Sequence, residues 1–155
     1  MSEFLHGLKG GETMDVAGPT GNFTLKEPLA RDVVFVATGS GIAPLRSMIG
    51  HLLPRGTRRT VYLVFGSRSE EDILYRSEWE NLQGRYPHFR LFLTLSQPGP
   101  AWPGLKGHVQ DVLEGFILDF KANDYYVCGS KTMIQQTQQN LLSKGVPEKQ
   151  INFEM

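Results

Sequence analysis

From residue 31 onward, short apolar runs alternate with stretches in which apolar positions recur every three or four residues. Val33–Ala37 is a continuous run of five apolar residues, the pattern of a strand buried on both faces. Leu45, Met48, Ile49, Leu52 and Leu53 fall at i, i+3, i+4, i+7 and i+8, one stripe of a helix that Pro54 and Gly56 end. Thr60–Phe65 and Phe89–Leu95 read as the second and third strands. Between them, Ser69 is expected to cap a helix whose first turn carries Glu70, Glu71 and Asp72 at the positive end of the dipole. A Pro/Gly-rich loop runs from Ser96 to Gly107, and a short helix is predicted within His108–Phe116. Asp124–Cys128 is the fourth strand. Ser130 caps the next helix, with Met133, Ile134, Thr137, Leu141 and Leu142 facing inward and Gly145 and Pro147 as its stop. Gln150–Glu154 is the fifth strand.

Strands separated by helices require crossovers and a parallel sheet. The expectation is an α/β domain, a doubly wound five-stranded parallel sheet flanked by helices, over residues 31–155. Its ligand belongs beyond the C-terminal strand ends, where strand order reverses. Residues 1–30 lack this rhythm: Glu12–Leu25 reads as two short strands about a Gly/Pro turn.

Composition narrows the function classes. Sixteen basic and sixteen acidic residues without a like-charged run argue against a nucleic-acid partner. No apolar segment approaches the roughly 20 residues of a membrane-spanning helix. Met1-Ser2-Glu3-Phe4 lacks the pattern of a signal peptide, and the single cysteine, Cys128, fits a reducing compartment. A cytoplasmic protein is expected. His6, His51, His88 and His108 are scattered without metal-ligand spacing, and no metal site is expected. Trp79 and Trp102 read as packing or loop anchors, and His51 falls on the exposed side of the first helix.

The unusual stretch is Thr38-Gly39-Ser40-Gly41-Ile42-Ala43-Pro44, between the first strand and the first helix. Glycines admit an anion close to backbone N–H groups, and a helix N-terminus adds unpaired donors. Thr38 and Ser40 offer hydroxyls, and Pro44 suits a first helical turn because its missing N–H would have no partner there. This arrangement suits a pyrophosphate. The spacing is G-x-G-x-x-P rather than the dinucleotide fingerprint G-x-G-x-x-G, so a tight turn alone is the alternative. The second strand ends in Gly66-Ser67-Arg68 where the fingerprint expects an acidic residue. Arg68 either meets the adenosine end of a nucleotide or pairs in solvent with Glu70 or Glu71. The fourth strand ends V-C-G-S-K-T-M, a second strand–Gly–helix junction facing the same crevice. Cys128 at its rim has no base beside it in sequence and reads more readily as an inert core residue than as a reactive one.

Six segments in order, GPTGNFTL, VFVATGSGIAPLRSMI, VFGSRSEEDILYRSEWENL, FLTLSQPGPAWPGLKGHV, YYVCGSKTM and INFEM, resemble the NAD(P)-binding domain of the ferredoxin–NADP reductase family. The resemblance covers the chain from about residue 2 to its end. It implies NAD(P)H as cofactor and hydride transfer to a flavin, FAD or FMN, with electrons passing on to an acceptor protein or oxygenase. It implies Thr38, Gly39, Ser40, Gly41, Ile42, Ala43 and Pro44 along the pyrophosphate and nicotinamide channel. Ser67, Arg68, Ser96 and Gln97 would surround the adenosine, and Cys128, Gly129 and Met133 the nicotinamide. Cys128 and Glu154 are the residues it brings to the reacting centre.

Several features depart from that pattern. The family's flavin barrel carries an R-x-Y-[ST] strand and a G-x-x-S segment; neither is complete here, with Ser2 alone in the serine place. Residues 1–30 therefore read as the C-terminal remnant of an FAD-binding barrel, and the chain is expected to bind flavin weakly or not at all and to be inactive by itself. Where NADPH-specific relatives carry Ser-Arg after the third strand, this chain has Ser96-Gln97. That removes a charge-assisted contact of about 1.5–3 kcal/mol to a 2′-phosphate and favours NADH. Met155 follows Glu154 in place of an aromatic residue or an iron–sulfur domain, which leaves a truncation there open. A nucleotide-binding module without redox turnover, within a multi-subunit assembly, is the alternative. A methyltransferase-type fold is a more distant one, which leaves the C-G-x-x-x-M junction unexplained.

Overall fold

The computed structural model describes residues 2–18 and 20–154, the Ser2 side chain excepted. The readings placed on the Ser2 hydroxyl, on Pro19 of the GPTG turn and on Met155 lie outside that range. In chain order the elements are α1 (Ser2–Gly7), β1 (Asp32–Thr38), α2 (Ile42–Leu52), β2 (Val61–Ser67), α3 (Arg76–Arg85) and β3 (Phe89–Leu95). They continue with β4 (Leu105–Lys106), α4 (Val109–Val112), β5 (Asn123–Cys128), α5 (Lys131–Ser143) and β6 (Ile151–Glu154).

All strands are parallel, in the order β4-β3-β2-β1-β5-β6. The sheet is open and doubly wound, with six strands rather than five. The additional strand, β4, is two residues long and lies inside the loop expected over 96–107. It pairs with Thr94 and Leu95. Trp102 fastens it, donating from Nε1 to the Leu105 carbonyl at 2.9 Å. So short a strand has no periodicity to read.

Alternation along β1 sorts the core into two layers. Val33, Phe35 and Ala37 point to the side of α2 and α3, where Ile42, Leu45, Ile49 and Trp79 are buried. Val34 and Val36 point to the side of α4 and α5, with Val109, Leu113, Ile134 and Leu141. Each large side chain so buried contributes about 1.5–3 kcal/mol. Trp79 is fully buried and donates to the Leu74 carbonyl at 2.9 Å, as an anchor should. His51 is exposed and meets Glu27 at 2.9 Å.

Three expectations are corrected. Ser69 does not cap a long helix: its N–H and hydroxyl donate to Asp72 Oδ2 at 3.1 and 2.9 Å, closing a 3-10 turn over Glu70–Asp72. Ile73 is then extended and Tyr75 takes a left-handed φ of 58°, so α3 starts only at Arg76. The three carboxylates thus occupy a turn instead of a helical N-terminus. Leu142 is 38% exposed although its neighbour Leu141 is fully buried, so the inward face of α5 passes through Leu141 and not Leu142. No strand forms among the described residues of 12–25. An extended segment becomes a strand only where a neighbour offers its own backbone groups, and a lone hairpin is marginal in water. The end of this segment and the residues after it do pack onto the domain: Phe23, Leu25 and Leu29 lie on the α2/α3 side of the core. Lys26 N–H donates to the Tyr126 hydroxyl at 2.9 Å.

Candidate functional site

The register of the sheet brings the strand ends together. Thr38 lies opposite Gly66 of β2, Gly66 opposite Thr94 of β3, Ala37 opposite Cys128 of β5, and Cys128 opposite Glu154 of β6. Strand order reverses at β1, with β2, β3 and β4 on one side and β5 and β6 on the other. Two connected hollows lie over this switch point, sharing Thr38, Gly39 and Ser130. The larger, about 740 Å³, is of the size that small-molecule sites occupy. It carries Ser67, Arg68, Ser96 and Met133. The smaller, about 540 Å³, carries Ser40, Gly41, Pro44, Cys128, Gly129 and Glu154.

Three residues of the expected set line neither hollow. Ile42 is fully buried and belongs to the core beneath the loop. Ala43 and Gln97 are exposed outside it. Gln97 instead extends the pairing of β2 with β3, its N–H donating to the Arg68 carbonyl at 2.9 Å. Arg68 makes no ion pair among the described residues: Glu70 is taken by Arg76, and the solvent pairing expected as the alternative is not formed.

The glycines divide the work. Gly39 has a left-handed φ of 54° and open space where a Cβ would stand. Gly39–Gly41 forms a 3-10 turn running into α2, and the N–H groups that open such a turn have no partner within it. Gly41 differs: a Cβ there would land on the carbonyl of Cys128, with Gly129 N at 2.5 Å. Gly129, at φ 156°, is closed in by the Thr38 hydroxyl and by the Met133 methyl at 2.6 Å from its virtual Cβ. Thr38 Oγ1 accepts from Ser130 N–H at 3.5 Å, so this hydroxyl links the two junctions. Ser130 caps α5 by accepting from Met133 N–H at 3.3 Å.

Cys128 is half-buried, and burial pushes its thiol pKa up; the Glu154 carboxylate adds to this and the Gly129 N–H partly offsets it. Its sulfur is therefore a neutral thiol at neutral pH, and it lines the smaller hollow. Asp72 is held below the usual carboxylate range by the Ser69 hydroxyl first and the Ser69 N–H next, with a smaller pull from Arg68.

Sequence reasoning missed one wall. Gly107, His108, Val109 and Gln110 enter the larger hollow from the start of α4, facing Gln136 of α5. Gly107, at φ 113°, precedes a helix as at the other two junctions, but the strand before it is too short to mark the junction in the sequence. Gln110 is buried and donates to Gln136 Oε1 at 3.0 Å, while its own Oε1 has no partner. An orphaned acceptor beside an open left-handed glycine turn and a capped helix N-terminus fits a ligand with hydrogen-bond donors and phosphate.

An open parallel sheet with such a cleft over its switch point is the architecture in which doubly wound domains bind nucleotides. The profile of the family described as oxidoreductase NAD-binding domain matches residues 35–139, and the chain belongs to that family. It is 36% identical over 160 residues to ferredoxin–NADP reductase B of Sorangium cellulosum, over 99% of this chain and 66% of that one. It is 34% identical over 155 residues to the reductase component of phenol 2-monooxygenase of a Pseudomonas species, over 97% of this chain and 44% of that one. The chain thus spans 66% and 44% of the length of these two relatives. The cytochrome b5 reductase domain of Ulva prolifera nitrate reductase shares its fold, with a TM-score of 0.89 at 23% identity over 99% of this chain and 63% of that one. Among the described residues no helix is long and apolar enough to cross a membrane.

Proposed function

We propose that this chain is the pyridine-nucleotide half of a cytoplasmic flavin-dependent reductase, with residues 1–30 leading from a flavin-binding domain and residues 31–155 binding the nucleotide. The observation that carries the reading is the meeting of three strand–Gly–helix junctions, at Gly39, Gly107 and Gly129, around one cleft at the switch point. The diphosphate lies against the Gly39–Gly41 turn and the N-terminus of α5, where unpaired N–H groups and the dipole favour anions. The adenosine lies along Ser67, Arg68 and Ser96, and the nicotinamide in the smaller hollow beside Cys128, Gly129 and Glu154. NADH is the favoured cofactor, because no arginine follows Ser96.

Hydride transfer from nicotinamide to a flavin is the chemistry the two cofactors supply when bound. This chain's residues orient the nicotinamide for it. The neutral Cys128 thiol offers a flat, uncharged wall, and Gly129 keeps that wall free of a side chain. Glu154, aligned with Cys128 across β5 and β6, places a carboxylate at the mouth. Flavin, and an electron acceptor such as a ferredoxin, an iron–sulfur domain or an oxygenase component, belong to adjoining domains or partners.

Two measurements test this. Calorimetric titration of the chain with NADH should show a single site, and no binding would overturn the reading. With the adjoining flavin domain supplied, NADH-dependent ferricyanide reduction should appear. Binding without turnover there would make the chain a nucleotide-docking module instead.

A further inference from the structure

The carboxylates of the Glu70–Asp72 turn are unevenly employed. Glu70 is drawn out of the cleft to Arg76, which also holds Glu80 at 2.9 Å. Asp72 is hydrogen-bonded to Ser69 and kept ionised. Glu71 is exposed, lines the larger hollow beside Ser67, Arg68 and Ser96, and makes no ion pair among the described residues. Arg68 is the one permanently charged cation among the described lining residues, and it faces two carboxylates, Glu71 and Asp72.

We infer that Glu71 sets the nucleotide choice of this cleft, admitting a ribose with a free 2′-hydroxyl and disfavouring a 2′-phosphate. The inference rests on reading the cleft as a pyridine-nucleotide site, and it names the side chain that selects between the two cofactors there. A 2′-phosphate adds about two negative charges where the local balance is already one negative, and like charges sharing one hollow repel each other. A ribose hydroxyl adds none and donates a hydrogen bond that a carboxylate accepts. Arg68 alone would favour the phosphate. The turn that ends at Asp72 reverses this, because its Ser69 cap holds the Asp72 charge in place and leaves Glu71 facing the hollow.

The experiment is calorimetric titration of NADH and NADPH into the chain and into Glu71→Gln and Glu71→Lys at low salt. The parent chain should bind NADH more tightly. Glu71→Gln should shift the NADH-to-NADPH affinity ratio toward NADPH by about fivefold, and Glu71→Lys by more, with both shifts shrinking as salt screens the charges. An unchanged ratio in both variants, with both nucleotides still binding, overturns the role of Glu71 and leaves the site reading intact. Failure of both nucleotides to bind the parent chain overturns the site reading and this inference with it.

Discussion

The β1–α2 and β5–α5 junctions look alike in sequence, each a strand, a glycine and a hydroxyl residue before a helix, yet their glycines meet opposite surroundings. Gly39 opens on empty space, whereas Gly41 and Gly129 are pressed against the facing junction. The two loops interlock backbone to backbone, and the Thr38 hydroxyl links them. Only one of the three glycines therefore keeps its bare face for a ligand. The other two bring the loops close enough to make a continuous floor at the switch point.

Adding a methyl group at each position separates these roles. Gly41→Ala should cost the most, about 3 kcal/mol, since the atoms it meets are backbone and cannot rotate away. For a chain of this size that is a fall of about 10 °C in Tm by thermal denaturation. A Tm within a degree or two of the parent would show that the interlock is loose. Gly129→Ala should cost about 2 kcal/mol, because the Met133 methyl can swing aside while the Thr38 hydroxyl cannot leave without losing Ser130. Gly39→Ala meets nothing and should cost only the left-handed backbone, about 1 kcal/mol. Its loss should fall on NADH affinity more than on Tm; equal losses in both would place Gly39 with the other two.

The smallest effect concerns Cys128. Its folded pKa is raised, so the unreactive thiol persists to higher pH than in a free cysteine, and alkylation by iodoacetamide at pH 8 should be slow. Glu154→Gln should move the rate–pH curve part of the way back toward lower pH, since burial is the larger cause and remains. Alkylation as fast as that of an unfolded peptide would place the sulfur in the open instead of in the wall.

Elements made by burial were legible from the residues alone. The runs of β1, β2, β3 and β5 and the stripes of α2 and α5 follow from the faces they bury, and periodicity reports burial. The start of α3 was not legible, because Ser69 and Asp72 satisfy each other locally and Tyr75 turns the chain aside. Nor was β4, a two-residue strand held by Trp102. The G-x-G loop was legible as a site, but Ile42 lies under it and Gln97 and Ala43 lie outside. His108 and Gln110 line the cleft from a junction whose glycine follows a long loop, so the chain shows no apolar run leading into it.

By itself the sequence determined the alternation of elements, the parallel sheet and the loop at the end of β1, since each depends on which residues are apolar and which conformations glycine permits. Only the tertiary structure decided that Gly41 and Gly129 face each other's loops and that Glu71, not Glu70 or Asp72, has no side-chain partner among the described residues at the cleft. Those facts depend on contacts between junctions far apart along the chain, or on competition among neighbouring carboxylates for Ser69 and Arg76. A pattern read along the chain carries no record of contacts made across it.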